Sequence, residues 1–230
     1  MPTKPDVKDV LASLKRKGSR RNREGMARYG IVAPKAFGVS VSSIRQIGKD
    51  VGRDHDLALA LWKTGWYEAR MLTSFVDEPA KVTPAQMDRW AKDFDNWAIC
   101  DTLCFHLWDR TPHAWKKINE WSRRDEEFVK RAAFALLASV AGHDQQTGDA
   151  PFKRSLVLIA RAATDNRNFV KKGVSWALRG IGHRNKALNR AAIGLSRRLA
   201  ASSNPAARWV GKDALRDLTR ALVQRRVATR

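Results

Sequence analysis

Two side chains at positions 97 and 101 could do chemistry together. Trp97 and Asp101 lie in "DNWAICDTLC" (95–104), a segment that otherwise reads as buried helix. A spacing of four puts them one turn apart on one helix face. A carboxylate beside an indole, among apolar neighbours, has two readings. One is an ordinary helix surface position. The other is a catalytic acid on a face that binds nucleic acid. Two further residues fit the second reading: Arg131 in "FVKRAAFALL" (128–137) and Trp176 in "FVKKGVSWAL" (169–178). Together the four supply one carboxylate, one guanidinium and two aromatic faces. A carboxylate and π faces suit a centre where positive charge develops, and a guanidinium suits a phosphate.

The charge of the chain points the same way. Lys and Arg number 44 against 23 Asp and Glu, a formal net charge of +21 over 230 residues. A polyanionic partner compensates such self-repulsion, because each neutralised phosphate releases counterions. Anionic membrane would favour one basic amphipathic helix or a polybasic cluster. Here the charge is spread from Lys15 to Arg230, with denser runs at "KRKGSRRNR" and "RALVQRRVATR", so nucleic acid is the expected partner and membrane is not. A generally basic surface with no dedicated partner is the plain alternative. No apolar run approaches the ~20 residues of a bilayer span. The first residues, "MPTKPDVKDVLASLKRKG", show no apolar signal region, so a bacterial cytoplasmic or nucleoid location is expected. Cys100 and Cys104 share a helix face, where a mutual disulfide does not fit. Neither they nor His55, His106, His113, His143 and His183 show the spacing of a metal site. There is no clear dimer signal, and a monomer is expected.

The elements that must position these residues are helices. "LALALWKTGW", "FVKRAAFALLASVAG", "LVLIARAAT" and "ALNRAAIGLSRRLAAS" carry apolar residues at i, i+3, i+4 and i+7, and no segment alternates with a strand period. Breakers recur at short intervals and predict about a dozen helices of 8–17 residues. Thr83-Pro84 and Thr111-Pro112 read as helix starts, an N-cap followed by proline in the first turn. One long loop is expected at 142–151. Trp62, Trp66, Trp90, Trp108, Trp115, Trp121 and Trp209 are assigned to the core, with flanking DNA as the other use for some of them. "FVKRAAFALL" and "FVKKGVSWAL" echo each other at an offset of 41 residues, and "RWVGKDALRDL" (208–218) is a weaker third copy at an offset of 37. Offsets near 40 residues, each holding two helices, are the period of HEAT and armadillo repeats. The fold class expected is therefore all-α, a right-handed α-solenoid of HEAT-like repeats with a concave basic face. A single domain over 1–230 is expected, its basic end 219–230 a candidate flexible extension. Lys130, Arg131, Lys171, Lys172, Arg179, Arg208, Lys212 and Arg216 ride on the echo helices and would make the concave face positive.

"WAICD", "VKRAA" and "FVKKGVSWALR" together resemble the HEAT-repeat DNA alkylation repair glycosylases of the AlkD type. The likeness extends through "EGMARYGI", "GVSVSSIRQIGKDVGRDHDLALALW" and "AARWVGKDALRDL", nearly the whole chain. In that family a Trp-x3-Asp pair, a later Arg and a later Trp form the site, matching Trp97, Asp101, Arg131 and Trp176. The resemblance implies excision of N3- and N7-alkylated purines from duplex DNA, without a metal or organic cofactor and without drawing the damaged base into a deep pocket. The positive concave face of the echo helices would put Lys130, Lys171, Lys172, Arg179, Arg208 and Lys212 against DNA, and the resemblance, which places an N-terminal aromatic near the DNA, adds Tyr29 of "GMARYGI" as a candidate contact. The family often has an acidic residue directly after the first Trp, where this chain has Ala98. A solenoid that grips duplex or branched DNA without cutting it is the alternative function. A protein-interaction scaffold would call for an acidic or amide-rich lining, which the net charge opposes.

Overall fold

The computed structural model describes residues 5–229, and every regular element among them is helical: fourteen α-helices and two short 3-10 turns. The contacts divide the chain into two compact units, one running to Pro112 and the other starting at His113.

The first unit holds α1 (Val7–Arg16), α2 (Arg20–Gly25), α3 (Val41–Val51), α4 (His55–Lys63), α5 (Tyr67–Val76), α6 (Pro84–Lys92) and α7 (Trp97–His106). Side-chain caps start most of them. Asp6, Ser40, Asp54 and Thr83 each accept from a backbone N–H of the first turn, satisfying a donor the helix itself leaves open. Thr83 followed by Pro84 begins α6 as its sequence predicts. Thr111-Pro112 behaves otherwise. The Thr111 hydroxyl turns back to donate to the Trp108 carbonyl at 2.8 Å, and the next helix begins only at Ala114, so Thr111 caps nothing. Helix α5 is the hub, packed against α1, α3, α4 and α7. Ala69, Leu72 and Val76 are fully enclosed there. Trp62 and Trp90 stack at 4.2 Å within this core.

The second unit holds α8 (Ala114–Trp121), α9 (Glu127–His143), α10 (Asp149–Ala162), α11 (Asn168–Gly182), α12 (Lys186–Ala200), α13 (Pro205–Leu218) and α14 (Ala221–Ala228). The sequence echoes are α9, α11 and α13. Helix α11 packs between the other two, and each echo helix also packs on the helix before it, α8, α10 or α12. The repeat is therefore a pair of helices, as the 41-residue offset predicts. Small residues let these pairs approach closely. A Cβ at Gly211 of α13 would lie 2.2 Å from the Ala200 amide nitrogen and 2.6 Å from the Ser196 carbonyl oxygen, so no larger residue fits. Helix α9 runs further than expected. It reaches His143 and α10 begins at Asp149, which shortens the loop anticipated at 142–151 to residues 144–148. Over the basic end, α14 buries Val223 and Val227, and Gln224 Nε2 donates to the Leu218 carbonyl at 2.6 Å. Arg230 lies outside the described residues.

The turn between α10 and α11 is tied by charge. Arg167 donates from Nη2 to Asp165 Oδ2 at 2.6 Å and from Nε to Oδ1 at 2.9 Å, and Lys130 Nζ reaches the same carboxylate at 3.3 Å. These cations, Arg167 first, hold the Asp165 carboxyl down at about 2. An unperturbed Asp titrates near ~3.9. The folded value is the lower one, so the stability it contributes is complete above the unfolded value and is lost as pH falls through about 2. Arg167→Ala is expected to return the Asp165 titration upward toward that reference, read from its carboxyl carbon shift by NMR. An unmoved midpoint would remove Arg167 as the cause.

Among the described residues no helix is long and apolar enough to cross a membrane.

Candidate functional site

In the first unit, Asn96 sets the position of the predicted chemistry. It is fully buried, and its Oδ1 accepts from the amides of Ala98 and Ile99 at 3.0 and 3.1 Å. That cap starts α7 at Trp97 and fixes the helix phase for everything downstream. Ala98, Ile99, Cys100, Leu103 and Cys104 take the buried side. Trp97 and Asp101 fall on a half-buried stripe of the same helix, one turn apart. Neither Cys100 nor Cys104 is in a disulfide. Burial first, and the neighbouring Cys100 next, push the Cys104 thiol well above its usual range, with Asp101 adding to the effect. These cysteines are core groups, not nucleophiles. Ala98 is 7% exposed, so an acidic side chain there would have to be accommodated in a packed interior.

A contact 68 residues back in sequence joins Tyr29 to this helix. The Trp97 indole Nε1 donates to the Tyr29 carbonyl at 2.8 Å. The Tyr29 ring itself is 70% exposed. The unit thus brings Tyr29 and Trp97 together and leaves one ring in solvent beside the half-buried indole.

The 37–39 segment, eight residues after Tyr29, is anchored by a residue that no spacing in the sequence marks. Glu68 of α5 is completely buried, and its carboxylate accepts from the amides of Phe37, Gly38 and Val39 at 2.7–3.2 Å. Gly38 makes the turn with φ of 80°, a left-handed conformation where a Cβ would also strike the Ser19 carbonyl at 2.1 Å. Phe37 stacks on Trp66 with ring centroids 3.9 Å apart. Two histidines, given no role by spacing, prove to be paired with carboxylates. His55 Nδ1 lies 2.6 Å from Asp77 Oδ1, whose other oxygen accepts from Gln86 at 2.7 Å. Burial raises the Asp77 pKa against the lowering pull of those two partners. His183 meets Asp217 at 2.7 Å in the second unit.

In the second unit, Arg131 is 6% exposed, and its Nη1 donates to the Phe169 carbonyl at 2.6 Å. Its aliphatic stem packs on Gly173, where a Cβ would stand 3.5 Å from Arg131 Cγ. The guanidinium is therefore fixed by α11, not a mobile surface cation. Trp176 sits three residues after Gly173 on the same stripe of α11 and is half-buried. The expected DNA-contacting cations differ among themselves. Lys172 and Lys212 are exposed. Lys130 is engaged by Asp165 at 3.3 Å, Arg179 lies 3.8 Å from Asp213, and Arg208 turns back to donate to the Ser202 carbonyl at 3.0 Å. Lys171 places its ammonium 5.4 Å from the ring centroid of Trp209. Trp209 is 37% exposed and so does not belong to the core to which its helical spacing assigned it. Its position between Arg208 and Lys212 was the available signal, since both flank the polar side of α13.

Among the described residues no group of three or more His, Cys, Asp or Glu is arranged to hold a metal ion.

The all-helical architecture agrees with what known proteins show. The chain belongs to the DNA alkylation repair enzyme family, whose model matches residues 10–218. Its fold is similar to that of a solved structure described as "a new family of proteins related to the HEAT-like repeat DNA glycosylases with affinity for branched DNA structures". That likeness has a TM-score of 0.78 at 18% identity, over 97% of this chain and 96% of the other, and it establishes the HEAT-like helical fold. A second solved structure, an engineered protein, aligns with a TM-score of 0.43 at 14% identity, over 94% of this chain and 99% of that one. A search of the curated proteins found no match.

Proposed function

We propose that this protein is a monofunctional DNA glycosylase that hydrolyses the N-glycosidic bond of cationic N3- or N7-alkylated purines in duplex DNA. The observation that carries the reading is the Trp97–Asp101 pair on α7, in a chain that belongs to the DNA alkylation repair family. An alkylated purine of this kind is already positively charged and departs neutral, so a strong proton donor to the base is dispensable. Breaking its bond moves positive charge onto the deoxyribose, as in oxocarbenium-like transition states. Asp101 stabilises that charge and aligns a water for attack at C1′. Trp97 and Trp176 offer π faces to the developing cation. Arg131 gives a guanidinium to a phosphate near the lesion. Lys130, Lys171, Lys172, Arg179, Arg208 and Lys212, with Tyr29, hold the DNA. The protein acts as a monomer in the cytoplasm, in base excision repair, and needs no cofactor.

A second reading, binding of branched DNA without cleavage, is favoured by the affinity for branched DNA structures described for the similar solved protein. One set of assays separates the two. Linear duplex carrying a single 7-methylguanine is incubated with excess protein, with and without an unmodified four-way junction as competitor. Under the glycosylase reading, the linear duplex loses its base and the strand breaks only on later alkaline heating. Tight junction binding with an intact glycosidic bond would replace it with the second reading.

Replacing Lys171 and Lys172 together by alanine is expected to weaken binding to all duplexes alike. It should also flatten the slope of log K against log salt by about 0.9 for each lost phosphate contact. An unchanged slope would place both lysines off the DNA.

A further inference from the structure

The first unit contains a cleft of about 610 Å³ that the proposed chemistry does not use. Its walls come from α2, the 3-10 turn at Met26–Tyr29, the 31–41 segment and the start of α5. Four features of the lining point to one class of ligand. Arg21 and Arg28 bring two exposed guanidinium groups, a site for phosphate. Tyr29 offers a ring that is 70% exposed, a platform for a planar base. Ile31 and Val41 supply apolar floor. Tyr67, 8% exposed, lines the cleft and brings it a phenol hydroxyl. Burial, with Glu68 and Asp95 adding, keeps that hydroxyl protonated by raising its pKa, so it stays a donor.

Cationic, aromatic and hydrogen-bonding groups around a nucleotide-sized space match a base with its phosphate. The cleft adjoins the candidate site through the hydrogen bond from the Trp97 indole to the Tyr29 carbonyl. We propose that this cleft binds one unpaired nucleotide of a DNA strand, its base against Tyr29 and Tyr67 and its phosphates on Arg21 and Arg28. The inference rests on the reading of this chain as a DNA-binding repair protein. It adds that DNA with an extrahelical nucleotide is preferred over fully paired DNA.

The test uses the full-length protein and duplexes carrying 2-aminopurine either in a one-nucleotide bulge or fully paired. Wild type is expected to bind the bulged duplex about tenfold more tightly and to quench its fluorescence by stacking. Tyr67→Phe, which removes only the hydroxyl, is expected to lower that preference roughly three- to tenfold. Val41→Trp, at a half-exposed position of the wall, fills the cleft and is expected to abolish it. Equal binding of both duplexes by wild type, or a preference that survives Val41→Trp, overturns the proposal. Free deoxynucleoside monophosphate is the second arm. Displacement of bulged DNA by the free nucleotide at equal concentration would assign the cleft to free nucleotides and overturn its assignment to DNA. Release of 7-methylguanine by the same wild-type preparation keeps the two readings apart. Release without bulge preference defeats the cleft alone, and bulge preference without release defeats the glycosylase reading alone.

Discussion

Asp101→Asn is expected to lower the single-turnover rate of 7-methylguanine excision by roughly 10²–10³-fold, the typical loss when one electrostatic stabiliser is taken from a transition state. The substitution keeps size and shape and changes only charge and one acceptor. Asp101 is half-buried on α7, whose buried side is carried by Ala98, Ile99, Cys100, Leu103 and Cys104, so the helix does not depend on it for packing. The start of the helix is fixed separately by Asn96. Binding to undamaged duplex should therefore survive. In a basic protein, loss of one negative charge favours phosphate contact if it does anything. A rate equal to wild type would take Asp101 out of the mechanism. A matched loss of DNA binding would make it a structural residue instead.

Glu68→Ala carries the largest expected effect on stability. The Glu68 carboxylate is enclosed and is the acceptor for the amides of Phe37, Gly38 and Val39. Truncation leaves these donors without an acceptor in a segment where Gly38 and Val39 are buried, at a cost of about 1–3 kcal/mol for each unsatisfied group. Relaxation of the segment toward water recovers part of that, so a net loss of roughly 3–5 kcal/mol is expected for the first unit. Chemical denaturation followed by a probe in that unit measures it. Glu68→Gln, which keeps one acceptor oxygen, is expected to fall between wild type and Glu68→Ala. Coincident transitions for all three proteins would show that the cradle is not holding the 37–39 segment.

Much of the fold could be read from the chain because its signals are local. The 3.6-residue period and the Thr83-Pro84 start act within one helical turn, and the structure keeps them. The echo of α9 in α11 and α13 was legible because stacked repeats reuse one apolar pattern at one offset. Thr111-Pro112 failed because the 3-10 turn at Trp108–Arg110 gave the Thr111 hydroxyl a closer acceptor. Trp209 was misassigned because helical spacing identifies a stripe and not which stripe faces water. The role of Glu68 could not be read at all. Its partners lie about thirty residues away in a loop, and only tertiary packing brings them within reach. For the same reason Trp97 and Asp101 could be placed on one helix face from spacing, while the Tyr29 carbonyl on the Trp97 indole could not.

The decisive experiment incubates wild-type protein with linear duplex DNA carrying a single 7-methylguanine and measures free base by chromatography against a no-protein control. Glycosylase activity requires free 7-methylguanine well above spontaneous loss, one abasic site per base released, and no strand break before alkaline heating. Release no faster than in the control, from DNA that the protein demonstrably binds, would contradict it.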